Sequence, residues 1–175
     1  MGIEEDRKVQ IKNFMKEAFD IEIDDKHIED YDQALMHYND QRTGGTREPE
    51  RLAFLGDAYL EFIVRKYLFN HKDNFSIGDM NIIKTQFVDN DGWREIAQEI
   101  GLGEQIVTVQ QDHPLHPAER ISQSFHPPKI LADSFEALAG VLSYDSTLDD
   151  AGKKLIDLFI KLGYLPDVDF SWKEL

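Results

Sequence analysis

Cysteine is absent from this chain. Disulfides, thiolate–zinc sites and thiol nucleophiles are excluded with it, and a cytoplasmic location is the expectation. Basic residues are scarce: 19 Lys and Arg stand against 34 Asp and Glu, a net charge of −15. That balance by itself argues against a phosphate-rich partner, because nucleic-acid binding ordinarily draws on an excess of Lys and Arg. A local basic patch or bridging metal ions can still overcome it. No apolar run reaches the roughly 18 residues of a membrane helix, so no membrane partner is expected. The acidic start, Met1-Gly-Ile-Glu-Glu-Asp-Arg7, is unlike a signal or transit peptide. Strand signals are weak, and there is no internal repeat or low-complexity segment.

What is present reads as helix. With 175 residues and 41% hydrophobic content, the chain (1–175) is expected to form one all-α domain with an irregular tail over 163–175. Val9, Ile11, Phe14, Met15 and Phe19 recur at helical spacing over 6–19. Asp24 and Asp25 are N-cap candidates for a helix through His37 with Tyr31, Ala34 and Leu35 inside. Residues 38–49 read as an exposed loop. Pro49 to Phe69 is apolar nearly all round and is expected to be the central buried helix. Further helices are expected from Ser76 to Val88, Trp93 to Ile100 (stopped by Gly101), Pro128 to Tyr144, and Thr147 to Leu162. Residues 107–128 form a long loop rich in proline and histidine.

Two of these helices carry acids among apolar residues. Asp57 lies within Glu50-Arg-Leu-Ala-Phe-Leu-Gly-Asp-Ala-Tyr-Leu-Glu-Phe-Ile63 and is expected to be buried. An isolated buried carboxylate costs several kcal/mol or becomes neutral, so it needs a partner. Ile130-Leu-Ala-Asp133-Ser-Phe-Glu136 repeats the pattern, with two acids three residues apart on one helix face. Three acids on two core helices suggest a divalent-metal site.

These segments, in this order, resemble the ribonuclease III family. Its signature, E-R-L-E-F-L-G-D-[AS]-hydrophobic-L, stands here as Glu50-Arg51-Leu52-Ala53-Phe54-Leu55-Gly56-Asp57-Ala58-Tyr59-Leu60. Gln33-Ala-Leu-Met-His37 is similar to Q-A-L-T-H. Gly78-Asp-Met80 with Val88, Glu95, Ile96, Ala97, Leu102 and Gly103 is similar to G-D-M…V…E-L-A…L-G. Residues 129–140 are similar to I-L-A-D-x-[FV]-E-A-L-I-G, with Tyr144-Asp145 in place of the usual L-D. The resemblance covers about residues 8–162. It implies a helical endonuclease domain that forms a homodimer with a valley for double-stranded RNA. It also implies Mg²⁺ (with Mn²⁺ able to substitute) activating water to cut a phosphodiester, leaving a 5′-phosphate and a 3′-hydroxyl. Carried over by position, Asp57, Asp133 and Glu136 are the metal ligands, with Asp57 and Glu136 catalytic. Glu50 takes a supporting or RNA-contacting place. RNA processing, of ribosomal RNA among others, is the implied setting.

The departure from the pattern is Ala53, where most members place a metal-binding glutamate. Glu61, one turn after Asp57, and Glu50, two turns before it, are the candidate replacements. Glu61 also reads as a polar helix edge. The Mini-III type carries alanine at the same place, in L-A-Y-M-G-D-A, but departs at the position of Asp133, which this chain retains. A double-stranded-RNA-binding domain is expected to be missing, so affinity would come from the catalytic valley or an auxiliary RNA-binding protein. The alternative function is a catalytically impaired dimer used for RNA binding or ribosome assembly, as in some mitochondrial ribosomal proteins of this family.

Other candidates have plain readings. His113, His116 and His126 could hold a transition metal, but a solvated loop explains them. Lys129 could touch a scissile phosphate or be an exposed residue at a helix start. Arg51 and Lys84 could pair acids or phosphates. Phe54, Tyr59, Phe62 and Tyr67 read as core or dimer contacts.

Overall fold

The computed structural model describes residues 3–38, 48–110, 119–122, 128–146 and 148–168. Seven α-helices run through them: α1 (Glu5–Phe19), α2 (Ile28–Ala34), α3 (Glu48–Asn70), α4 (Ile77–Phe87), α5 (Asn90–Glu99), α6 (Pro128–Asp145) and α7 (Leu148–Lys161). A 3₁₀ turn, Leu102–Gln105, follows α5. The expected all-α class holds, with one addition. Three short strands, β1 (Met36–Tyr38), β2 (Val107–Gln110) and β3 (Glu119–Ser122), form a sheet in the order β1-β2-β3.

That sheet shortens the second helix. It ends at Ala34 rather than His37, and its N-cap is His27, not Asp24 or Asp25. Met36 pairs with Val107 in parallel register, and Val107 N–H donates to the Leu35 carbonyl at 2.9 Å. The strand hydrogen bonds replace those that continued helix would have made. β2 pairs antiparallel with β3, so part of the expected 107–128 loop is strand. His113, His116 and His126 lie outside the described residues.

Other boundaries follow local chemistry. Ser76 and Asp79 form a capping box: Asp79 N–H donates to Ser76 Oγ at 3.2 Å, and Ser76 N–H to Asp79 Oδ2 at 2.9 Å. The chain past α7 forms no helix or strand up to residue 168 but packs on the core. Leu165 is buried, and the Tyr67 hydroxyl donates to the Pro166 carbonyl at 2.5 Å.

Helices α3 and α6 form the spine. Phe135 on α6 stacks with Trp93 of α5 at a centroid distance of 5.7 Å and with Phe19 of α1 at 6.4 Å. Phe159 of α7 closes the aromatic group. These contacts fix the rotation of α6 about its axis, and with it the direction of Asp133 and Glu136.

The core also holds an ion pair that hydrophobic patterning does not reveal. Arg7 Nε donates to Asp32 at 2.9 Å, and the two side chains are 9% and 2% exposed. Arg7 donates further to the Gln105 carbonyl at 2.9 Å and to Gln10 at 3.1 Å, joining α1, α2 and the 3₁₀ turn. Removing one partner of such a pair strands the other charge, which costs about 3–5 kcal/mol. Asp32→Ala is therefore expected to lower the thermal midpoint by roughly 10 °C, read by circular dichroism. A shift of only a degree or two would show that Arg7 finds another partner or water.

Candidate active site

Asp57 stands on α3, and Asp133 and Glu136 on α6. The two helices cross with their backbones in contact. A Cβ on Gly56 would fall 1.7 Å from the carbonyl oxygen of Glu136, and one on Gly140 would fall 2.2 Å from that of Leu52. Glycine at both positions lets the helices approach, and the approach sets Asp57 beside the acids of α6.

The expected burial of Asp57 is corrected: Asp57 is exposed. Asp133 is also substantially open, its side chain 43% exposed. Only Glu136, at 8%, is buried. Apolar residues surround Asp57 in sequence, but several of them face outward: Phe54 is 83% exposed, and Leu55, Phe62 and Phe69 are exposed as well. The helix is thus not buried all round. Tyr59 and Tyr67 sit in the core, whereas Phe54 and Phe62 do not.

The electrostatics centre on Glu136. Burial pushes its carboxyl up to about 7, the neighbouring Asp57 and Asp133 charges push in the same direction, and Lys129 opposes them weakly. A buried acid beside two others has the donor chemistry of a hard divalent cation site. Lys129 Nζ donates to both oxygens of Asp133 at 2.8 and 2.6 Å. Among the described residues, no three His, Asp or Glu side chains converge tightly enough to hold a metal as they stand. Asp57, Asp133 and Glu136 are gathered within electrostatic reach, and the lysine occupies one of them.

The two replacements considered for Ala53 part company. Glu61 is engaged by Lys84 of α4 at 2.6 Å and by Arg65 at 2.7 Å, and these cations hold its carboxyl below the usual range. It braces α3 against α4. Glu50 instead lines a pocket of about 230 Å³ whose wall includes Ala53, Lys129, Asp133 and Ser134. His37, brought there by β1, lines it too. Sequence reasoning missed this pocket. Its signal was the small side chain at 53 beside the Gln33–His37 motif.

Residues 50–147 match the model of the Ribonuclease III domain family. Ribonuclease 3 of Shouchella clausii is 35% identical over 120 residues, 67% of this chain and 44% of that protein. Ribonuclease 3 of Bordetella avium is 33% identical over 138 residues, 79% of this chain and 50% of that one. The chain spans about half the length of the curated relatives it matches. The nuclease domain of ribonuclease III from Campylobacter jejuni has a TM-score of 0.65 at 24% identity, over 90% of this chain and 97% of that one. A second structure of that domain, described for flexibility in a region involved in dimer formation, gives 0.64 at 23%, over 87% and 98%. At such identity the likeness establishes the fold. With the family model covering more than half of its residues, this chain belongs to the ribonuclease III domain family.

Proposed function

We propose that the protein is a Mg²⁺-dependent endoribonuclease that hydrolyses phosphodiester bonds of double-stranded RNA, leaving a 5′-phosphate and a 3′-hydroxyl. The observation that carries this is the carboxylate group at the α3–α6 crossing, where a buried Glu136 lies under two more exposed acids. Asp57, Asp133 and Glu136 would hold the ion, and Mn²⁺ could replace it. A bound ion supplies an activated water and offsets charge on the leaving oxygen. Asp57 and Asp133 are open to solvent, where a duplex can reach them. Glu136, buried on the helix that Phe135 packs into the core, would contribute the most shielded oxygen of the set. Lys129, already on Asp133, places a positive charge at the same rim.

A homodimer is part of the proposal. Phe54, Leu55, Phe62 and Phe69 on α3, with Ile77 and Ile82 on α4, leave large apolar side chains in solvent. A surface of that kind is what a second copy would cover. The second reading, an RNA-binding or assembly dimer with little turnover, is favoured by one observation, alanine at position 53. The partners under either reading are double-stranded RNA and an auxiliary RNA-binding protein; ribosomal RNA is a candidate substrate. No described helix is long and apolar enough to cross a membrane.

The test is incubation of the purified chain with a long RNA duplex, with Mg²⁺, with Mn²⁺ and with chelator. Metal-dependent cleavage giving ends ligatable at the 5′-phosphate is expected. Duplex binding without turnover under either metal selects the second reading instead.

A further inference from the structure

The pocket beside Ala53 holds polar groups that the metal-site reading does not use. Its volume is about 230 Å³, and Met36, Pro49, Ala53 and Ile130 give it an apolar lining. Ser134 lines it too, and is only 5% exposed. A serine inside a helix ordinarily spends its hydroxyl on a carbonyl one turn back, as Ser143 does on Gly140 at 2.7 Å. Ser134 makes no such bond, nor any other side-chain hydrogen bond among the described residues. A buried hydroxyl without a partner is costly, so an unspent one lining a pocket marks a place for a ligand. Glu50, at the same pocket, is exposed and pairs with no cation among the described residues. Lys129 and Asp133 are spent on each other.

Charge and chemistry narrow the occupant. With Lys129 and Asp133 paired, Glu50 is the charge left over, which disfavours a phosphate in the pocket. A carboxylate accepts from N–H groups, and a serine hydroxyl donates or accepts. A nucleobase with an exocyclic amine meets both and lays its ring on the apolar lining. The pocket is smaller than the cavities that take drug-sized molecules, which suits a single base. In a duplex the base edge is covered by its pairing partner. An unpaired base has a free edge and costs least to extrude. The pocket shares Asp133 with the acid group, so a base held there belongs to a nucleotide close to the bond that is cut.

We propose that this pocket takes one unpaired, amine-bearing base of the RNA, of which cytosine is the smallest, with Glu50 accepting from the exocyclic amine and Ser134 bonding the ring edge. The inference rests on the nuclease reading given above. Glu50 and Ser134 are then specificity-determining residues, and a duplex with a bulged cytidine is a better ligand than a fully paired one.

The experiment is binding of the full chain, in chelator, to a fully paired RNA duplex and to the same duplex with a bulged cytidine or a bulged uridine, read by fluorescence anisotropy. Uracil carries a carbonyl oxygen where cytosine carries the amine. Wild type is expected to hold the cytidine bulge at least about fivefold tighter than either of the others. Glu50→Gln should bring the cytidine-to-uridine ratio to about one or invert it, because a glutamine amide donates to the uracil oxygen. The ratio is the readout, since removing a negative charge strengthens binding to every RNA alike. Glu61→Gln, the control of equal charge change, should leave it as in wild type. Ser134→Ala should weaken the cytidine bulge about threefold or more and leave the paired duplex unchanged. Equal wild-type affinity for the two bulges, or a ratio untouched by Glu50→Gln, overturns the proposal. Titration with free cytidine and uridine, followed by NMR, separates it from the nuclease reading. Cleavage of paired duplex with Mg²⁺ and no cytidine preference in either assay removes this inference alone. A Glu50-dependent preference for cytidine with no cleavage under any metal removes the nuclease reading and keeps the pocket. A preference for free cytidine that is absent in the RNA overturns the assignment to RNA.

Discussion

Glu136→Gln is expected to abolish metal-dependent cleavage of duplex RNA and, in the same protein, to stabilise the metal-free fold. Both effects have one cause. Glu136 is 8% exposed, and burial together with Asp57 and Asp133 raises its carboxyl to about 7. A carboxyl raised in the folded state binds its proton more tightly there than in the unfolded chain. The fold is thus favoured at low pH and loses that advantage as pH rises from the ordinary carboxylate range through about 7. At about pH 8 the full deficit is present, on the order of 3 kcal/mol. Glutamine carries no charge to desolvate, so the variant should melt roughly 5–10 °C higher than wild type at that pH. The gap should close towards about pH 4, where wild-type Glu136 is protonated in both states. Added Mg²⁺ or Mn²⁺ should raise the wild-type midpoint and leave the variant nearly unmoved, because only a ligand that binds the native state shifts it. Cleavage should fall by at least about 10³-fold, as when one member of a cooperating catalytic set is lost. A variant no more stable than wild type at about pH 8 would sink the claim that Glu136 is held at a cost for the sake of an ion.

The second large effect is expected from Gly56→Ala. The added methyl would stand 1.7 Å from the Glu136 carbonyl oxygen and 2.7 Å from the Gly140 amide nitrogen. Both are backbone atoms of α6, so no side-chain rotation relieves the clash. The helices must separate, and overpacking of that kind costs about 3 kcal/mol or more. The midpoint should drop by roughly 10 °C, or the chain should not fold at all. Gly78→Ala is the matched control. A Cβ there would meet only Ser76 Oγ, at 3.6 Å, in an exposed first turn of α4. Alanine is the better helix former by about 0.5–1 kcal/mol, so that change should be neutral or mildly stabilising. Equal stability of the two variants would contradict the close crossing.

The sequence was legible where periodicity and short-range chemistry act alone. The limits of α1, α3, α4, α6 and α7 follow from apolar spacing and from caps such as Ser76 with Asp79. The acids at 57, 133 and 136 were legible as a group because they fall in two motifs whose helices must pack together. Other features were not legible, because distant contacts or the direction a side chain faces decide them. His37 leaves the helical pattern because β2, some 70 residues on, offers hydrogen bonds to β1. Asp57 read as buried because hydropathy counts neighbours without saying which way they face, and Phe54, Leu55 and Phe62 face outward. The buried role of Asp32, 2% exposed, leaves no local signal because its partner Arg7 lies on another helix.

The glycine crossing has a consequence for how such a chain can change over generations. The distance between the two halves of the acid group is set by main-chain contact at Gly56 and Gly140, not by the lengths of the acidic side chains. Carboxylates can then be lost or regained at nearby positions while the frame that carries them stays the same width. Ala53 stands on that frame, in a pocket it shares with Glu50, Lys129 and Asp133. The scaffold thus separates the chemistry of the site from the width of the fold: a change of acid leaves the glycine contact untouched.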